Sequence, residues 1–211
     1  MRRIAGLYAI ADTACIAANR FQQAVELAIA GGAAVVQYRD KSTDRERREQ
    51  HARMLVELAS RHEVPVVIND DPQLAARVRA AGVHLGRDDP PLAQARRLLG
   101  AHALIGVSCY NELERALVAE AQGADYVAFG RFFPSSTKPA AVLATPELLR
   151  AAKRCLHVPL VAIGGITPDN GAALISAGAD ALAVIGGLFA AADIRAAARR
   201  YAVLFAPPPP D

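Results

Sequence analysis

Two short stretches, Gln37-Tyr38-Arg39-Asp40-Lys41 and Asn69-Asp70, fall just after or at the ends of apolar, β-branched runs. Asp89, Ser108 and the loop Ser135-Ser136-Thr137-Lys138 follow later runs in the same way. Together they supply two carboxylates, several cations and several hydroxyls at successive run ends, a set that suits a diphosphate held through a divalent metal. Two ionised carboxylates about 5 Å apart repel by roughly 3 kcal/mol at an effective dielectric near 20. If Asp70 and Asp89 face one another on neighbouring strands, the pair therefore calls for a cation or a proton. Mg²⁺ is the natural candidate, because it takes one or two protein carboxylates and completes its shell with water and phosphate oxygens. The competing reading is helix capping, by Asp70 or Asp71 ahead of Pro72 and by Asp88 or Asp89 ahead of Pro90.

Arg39 and Lys41 alternate with Asp40, which would put both cations on one side of an extended segment facing bound phosphates, or make an ordinary solvated loop. Gln37 is a primary amide at the end of a buried run and needs hydrogen-bond partners that a heterocyclic ligand would provide. Gly164-Gly165 and Gly186-Gly187 follow the last two runs, where backbone N–H groups and a helix N-terminus commonly hold a phosphate. The segment FGRFFPSSTKP, residues 129–139, has the length and hydroxyl content of a loop that closes over a barrel mouth.

The runs that must position these groups are Gly6–Ile10, Ala34–Gln37, Val64–Ile68, Val83–Leu85, Leu104–Val107, Tyr126–Phe129, Leu160–Ile163 and Ala181–Ile185, separated by segments of helical periodicity. Their continuous apolar character suits strands buried on both faces of a parallel sheet. Helix starts are expected at Thr43 with Glu46 and at Asn111 with Glu114 as capping boxes, and at Thr167-Pro168 and Asp71-Pro72. Gly31-Gly32, Gly82, Gly100, Gly123 and Gly178 each precede a strand as helix stops, so AGVHLG, GADYVAFG and GADALAVIGG repeat one device. Eight such units predict a single-domain α/β fold, a (β/α)8 TIM barrel over residues 1–205, followed by a disordered proline-rich tail at 206–211. No G-x-G-x-x-G follows the first run, which weakens a dinucleotide-binding reading.

A chain of 211 residues that is 53% hydrophobic can bury one sizeable core. Its formal charge of +3 comes from 24 basic residues interspersed with 21 acidic ones, so it shows no stripe for nucleic acid and favours small anionic ligands. Cys15, Cys109 and Cys155 are scattered and lack metal-type spacing, which argues against a disulfide framework and for the cytosol. No run reaches the roughly 18 uncharged apolar residues of a membrane helix.

The phrases GLYAIAD, QYRDK, VINDD, GVHLGRDD, IGVS, FGRFFPSSTK, VAIGGITPDN and ALAVI, in this order over residues 6 to about 190, resemble the thiamine phosphate synthase family. The resemblance implies a (β/α)8 barrel that couples a hydroxymethylpyrimidine diphosphate to a thiazole phosphate, with Mg²⁺ as cofactor, by a dissociative path in which pyrophosphate leaves first. By motif, Gln37, Tyr38, Arg39, Asp40, Lys41 and Asn69 would contact the pyrimidine diphosphate, Ser108 and Lys138 would reach its phosphates, and Asp70 and Asp89 would hold Mg²⁺. Ser135, Ser136 and Thr137, with Gly164, Gly165, Ile185 and Gly186, would bind the thiazole phosphate. The expected partners are these small molecules, without nucleic acid or membrane, and relatives suggest a homo-oligomer. Arg87, Ser135, Tyr110 and Gly186-Gly187 depart from the family's commoner residues, glutamine, threonine, histidine and a serine-alanine type pair. Cys109 reads as a buried filler and His84 as a hydrogen-bonded interior residue. Two other readings remain open: a thiazole tautomerase-like isomerase, which would not need the Asp70/Asp89 pair, and a non-catalytic phosphate-ligand sensor.

Overall fold

Strands buried on both faces need no polar alternation, and each of the eight apolar runs forms one. The computed structural model describes residues 4–134 and 143–206. Its strands are β1 (Gly6–Asp12), β2 (Ala33–Arg39), β3 (Val66–Asn69), β4 (Gly82–Leu85), β5 (Leu104–Tyr110), β6 (Tyr126–Gly130), β7 (Leu160–Ile163) and β8 (Ala181–Val184). They pair in parallel in chain order, and β8 returns to β1 to close the barrel. The crossovers are α1 (Phe21–Ala30), α2 (Arg45–Ser60), α3 (Pro72–Val78), α4 (Leu92–Leu99), α5 (Leu113–Ala121), α6 (Pro146–Cys155) and α7 (Pro168–Ser176). After β8 the chain makes a one-turn helix, α8 (Gly186–Phe189), and then α9 (Ile194–Ala202), which packs against α1 and completes the outer ring. This is the (β/α)8 barrel expected from the sequence. The expected tail, Pro207–Pro210, lies outside the described residues. Among those described, no helix is long and apolar enough to cross a membrane.

Successive side chains along each strand serve two cores. Leu7, Ala9 and Ala11 of β1, Val36 and Tyr38 of β2, and Val127 and Phe129 of β6 point into the layer between strands and helices. Tyr8, Ile10, Val35, Tyr126 and Ala128, with Ala181 and Ala183 of β8, fill the barrel interior. Two tyrosines fit there because facing positions are small. A Cβ on Gly106 would lie 2.0 Å from Cζ of Tyr126, so β5 must carry glycine where that ring crosses the barrel.

Several strands run further than their apolar residues suggest. β1 includes Asp12, β2 includes Arg39 and β5 includes Tyr110, because ladder pairing with neighbouring strands continues past the last apolar side chain. Two expected capping boxes are corrected. Asp44, not Thr43, caps α2 by accepting the Arg47 N–H at 3.0 Å, and α5 begins after Glu112 with no side-chain cap. Thr167-Pro168 and Asp71-Pro72 start helices as expected: Thr167 forms a capping box with Asn170, and Asp71 caps α3 by accepting the Leu74 N–H at 2.8 Å. Gly82 is not a helix stop: α3 ends on Arg79 in the left-handed conformation, and Gly82 already belongs to β4.

The repeated GAD phrases have a shared physical role at the N-terminal face of the barrel. Asp125, just before β6, accepts the Ile105 N–H at 2.8 Å and pairs with Arg96 of α4 at 2.6 Å. Asp180, just before β8, accepts the Leu160 N–H at 2.9 Å and pairs with Lys153 of α6 at 2.7 Å. Each carboxylate ties the start of the preceding strand to the helix outside it. Asp125→Ala leaves a half-buried guanidinium and a strand N–H without their acceptor, so it should cost about 2–4 kcal/mol in urea unfolding. A loss under about 1 kcal/mol would show that the clamp carries no weight.

Candidate active site

The C-terminal ends of the strands gather the polar residues at one face. Asp12 and Arg39 end neighbouring strands, and the nearly inaccessible Asp12 carboxylate accepts from the Arg39 guanidinium while also accepting the Ala14 N–H at 2.9 Å. Arg39 is thereby fixed at the rim. Asp12 was readable only as a polar residue at the end of the first run, and its anchoring of Arg39 depends on the β1–β2 register, which pairs the two residues.

Asn69 ends β3, and Asp70 follows in the left-handed conformation with φ 65°, its N–H donating to the His84 carbonyl at 2.8 Å. That turn separates the two adjacent aspartates: Asp71 caps α3 and pairs with Arg48 at 3.0 Å, which leaves the Asp70 carboxylate for Lys41 and Asp89. Asp89 is not a helix cap either. α4 starts at Leu92 behind Pro91 with no side-chain cap, and Asp89 bends back to accept the Gly86 N–H at 2.5 Å. The capping alternatives for Asp70 and Asp89 are thus removed by geometry.

The two carboxylates lie within hydrogen-bonding reach of one another, and their proton affinities split. Burial raises Asp89, the adjacent Asp70 carboxylate raises it further, and its carboxyl sits at about 6. Burial also acts to raise Asp70, but the hydrogen bond from Lys41, the one shared with Asp89 and the Lys41 charge outweigh it, and Asp70 falls below the usual range. Without a cation the pair holds one proton in mildly acid solution. Two convergent oxygen donors with surplus negative charge fit a hard divalent ion with open positions for water and phosphate. Among the described residues no group of three or more His, Cys, Asp or Glu converges on a single point, so most of such an ion's ligands would come from water and substrate. A groove of about 820 Å³ opens beside the pair, lined by Lys41, Asn69, Asp70 and Asp89 and extending over Gln73 and Arg97.

β2 sorts its residues by side. Gln37 is buried and points into the barrel, where its Nε2 donates to the Tyr8 hydroxyl at 2.9 Å. Tyr38 is turned away from the mouth, whereas Asp40 lines the groove. The Tyr38 ring lies in the outer layer against Phe21 and His51, and its hydroxyl donates to Asp40 at 3.1 Å. The Asp40 carboxylate is further occupied by the Ser42 N–H at 2.8 Å. The period of two in β2 turns Tyr38 away from the mouth, so its side chain is not among those brought together there, and Asp40 reaches only the groove wall.

Ser108 projects from β5 with its Oγ 2.9 Å from Nε2 of His84. Its carbonyl accepts from Arg115 of α5 at 2.8 Å, and the same guanidinium reaches the Gly86 carbonyl at 3.5 Å, tying the Asp89 loop to β5. Tyr110, in the left-handed conformation at the end of β5, lies under the Arg87 guanidinium at 4.8 Å from its ring centre and accepts the Arg87 N–H at 3.3 Å. Two of the departures from the family pattern therefore pack on each other. Cys109 points into the outer core, and burial pushes its thiol up to about 12, so it is no nucleophile.

Ser135, Ser136, Thr137 and Lys138 lie outside the described residues. The loop that leads to them, Arg131 to Pro134, crosses over the end of β7. Gly164 and Gly165, at φ 103° and 65°, make that crossing possible, since Cβ atoms there would lie 2.3 Å from Arg131 Cβ and 2.5 Å from the Pro134 carbonyl. At the end of β8, Ile185 caps α8 and its carbonyl accepts the Leu188 and Phe189 N–H groups. Nothing lies within 4 Å of where a Gly186 Cβ would sit, whereas one on Gly187 would meet the Tyr201 hydroxyl at 2.5 Å. Gly186 faces open space beside its own N–H and that of Gly187, the two N–H groups of α8 for which the helix itself supplies no acceptor.

Residues 7–188 match the model of the thiamine monophosphate synthase family. The thiamine-phosphate synthase of Nitrosococcus oceani is 55% identical over 94% of this chain and 91% of its own length. That of an Azoarcus species is 54% identical over 97% and 98%. Among solved structures, the thiamine phosphate pyrophosphorylase of Pyrococcus furiosus superposes with a TM-score of 0.87 at 32% identity, covering 96% of each chain. The matched span contains the strand ends just described, and the chain belongs to the thiamine monophosphate synthase family.

Proposed function

We propose that this protein is a transferase that joins a 4-amino-2-methylpyrimidine carrying a diphosphooxymethyl group to a thiazole phosphate, or to its carboxylated form with loss of CO₂, giving thiamine phosphate and pyrophosphate. Family membership and the thiamine-phosphate synthase relatives support the reaction. The observation that carries the site assignment is the Asp70/Asp89 pair set beside Lys41 and Arg39 at the barrel mouth. The C–O bond between the pyrimidine methylene and the diphosphate breaks with its electron pair on the departing oxygen. The lone pair of the thiazole nitrogen then forms the C–N bond. No side-chain nucleophile is needed, in keeping with the raised Cys109 thiol.

Asp70 and Asp89 would hold Mg²⁺, which when bound supplies positive charge to the diphosphate oxygens. Arg39, fixed by Asp12, and Lys41, adjacent in the loop, complement charge developing on the leaving group, with Ser108 and Lys138 as further donors. Gln37 and Asn69 orient the pyrimidine ring. Gly165 and the Ile185-Gly186 backbone take the thiazole phosphate, together with Ser135 and Thr137. Purified protein given both substrates and Mg²⁺ should release pyrophosphate and form thiamine phosphate. Thiazole isomerisation alone would mark a tautomerase, and neither product a sensor. Asp70→Ala should lower turnover by about two to four orders of magnitude.

The carboxylate pair also predicts a pH-dependent stability. The Asp89 carboxyl in the metal-free fold sits at about 6, above its unfolded value, so its stabilising contribution is complete below the unfolded pKa and is lost as pH rises through 6. Asp89→Asn removes that loss. At pH 8 without metal, the variant should melt a few degrees above the wild type, and Mg²⁺ should raise the wild-type Tm but not the variant's. An unchanged Tm with a retained Mg²⁺ response would contradict the assignment of Asp89.

At Gly186 the space for a Cβ leaves room for a hydroxyl beside the α8 N–H groups. Gly186→Ser should lower KM for the thiazole phosphate about three- to tenfold, the range of one added hydrogen bond to a charged group, with kcat little changed. A KM that does not fall would place that phosphate elsewhere.

A further inference from the structure

One hydrogen-bonded chain crosses the barrel interior beneath the mouth and links two of the residues assigned to the pyrimidine diphosphate. From the Gln37 Nε2 on β2 it runs 2.9 Å to the Tyr8 hydroxyl on β1, 2.8 Å to the Tyr126 hydroxyl on β6, 3.1 Å to Nδ1 of His84 on β4, and from Nε2 of His84 2.9 Å to the Ser108 Oγ on β5. Five strands contribute one member each. The His84 and Tyr126 rings also stack, with centres 5.6 Å apart, and Gly106 makes room for the tyrosine.

Each hydroxyl in such a chain has a single proton, so fixing the direction of one bond fixes the rest. An amide nitrogen only donates. With Nε2 of Gln37 on Tyr8, the Tyr8 proton goes to Tyr126 and the Tyr126 proton goes to Nδ1 of His84. His84 must then be the neutral tautomer that carries its proton on Nε2, and that proton goes to Ser108. The Ser108 proton is left pointing out of the chain, towards the mouth. Burial holds both tyrosines far above their ordinary pKa, so both remain proton-bearing phenols. In the opposite direction the Gln37 amide is reversed, Nδ1 of His84 carries the proton, and Ser108 spends its only proton on the imidazole. A diphosphate offers only acceptors, so that direction would set lone pairs against lone pairs at Ser108.

We infer that His84, Tyr8 and Tyr126 are positioning residues that polarise this chain from Gln37 to Ser108, so that Ser108 donates to the diphosphate and the Gln37 amide oxygen is left to accept from the pyrimidine amino group. The inference rests on the proposed substrate for what the two ends meet. The direction of the chain is a property of the free protein and is measured without substrate.

Two-bond ¹H–¹⁵N correlation spectra of the ¹⁵N-labelled free protein, with the His84 resonances among the five histidines identified by their loss in His84→Asn, read the tautomer directly. The expected result is an imidazole protonated on Nε2 and bare on Nδ1. Protonation on Nδ1 would overturn the inference whatever the enzyme makes. Tyr126→Phe cuts the chain at its centre while keeping the ring. Nδ1 then loses its donor, and both neutral tautomers should be populated. In the same variant kcat/KM for the pyrimidine diphosphate should fall about tenfold, with KM for the thiazole phosphate unchanged and the Tm within a few degrees. A variant that keeps both the Nε2–H tautomer and full kcat/KM would overturn the positioning role. Absence of thiamine phosphate synthesis in the wild type would instead overturn the proposed function and leave the measured direction standing.

Discussion

Two carboxylates held face to face at the ends of β3 and β4 are the constraint around which the mouth of this barrel is arranged. Full ionisation of two facing carboxylates would cost roughly 3 kcal/mol even if they stood about 5 Å apart at an effective dielectric near 20, a sizeable part of the net stability of a domain this size. The fold accepts that cost and surrounds it with supports. Asp70 is turned into the left-handed conformation by a backbone bond to β4, Asp71 takes over the capping that Asp70 would otherwise perform, and Asp89 is tethered to the Gly86 N–H. Strain of this kind persists only where surrounding structure over-determines it. Here the determination is local, from the Asp70 N–H on the His84 carbonyl and the Gly86 N–H on Asp89, while at the opposite face Asp125 and Asp180 tie strand starts to helices.

Much of the fold was legible because the physics that builds it is local. A strand covered on both faces is apolar throughout, a helix ahead of it stops on glycine, and eight repetitions leave little choice but a closed parallel barrel. Polar residues directly after such strands are then rim residues, which made Arg39, Asn69, Asp70, Asp89 and Ser108 visible. What stayed hidden depends on neighbours far along the chain. Asp12 becomes an anchor only when β1 and β2 pair in the register that sets it beside Arg39. The two mistaken capping boxes have a related cause. Adjacent polar residues compete for a helix start, and the path of the incoming loop decides between them: Asp44 is extended at the start of α2, while Tyr110 turns left-handed and carries the chain past Asn111.

The continuous apolar character that revealed the strands also concealed which way their residues face. In AVVQYR no polar alternation marks an inner side, so Gln37, Tyr38 and Arg39 read alike as strand-end groups. The closed barrel separates them: Gln37 points inward, Tyr38 outward, and Arg39 stays at the rim. Tyr8 and Tyr126 were lost for the same reason, since a tyrosine within a buried strand reads as core. Their inward placement becomes visible only through the small residues opposite them, Gly106 above all. His84, expected to be a hydrogen-bonded interior residue, is one, and its partners link it to the site.

The charges at the rim bear on what the mouth can accept. Of the cations assigned to the leaving group, Arg39 is engaged by Asp12 and Lys41 by Asp70. At neutral pH, where Asp89 is mostly ionised, the Asp70/Asp89 pair outweighs the one Lys41 charge paired with it, and a highly charged diphosphate approaching the pair alone would be repelled. A divalent ion held by the carboxylate pair, as proposed, would reverse the sign of that edge and free Lys41 to turn from Asp70 to the phosphates. The same acids that oppose a diphosphate would thus make the proposed function conditional on the ion, because Lys41 is held by Asp70 until it binds, whereas Arg39 stays fixed by Asp12 throughout.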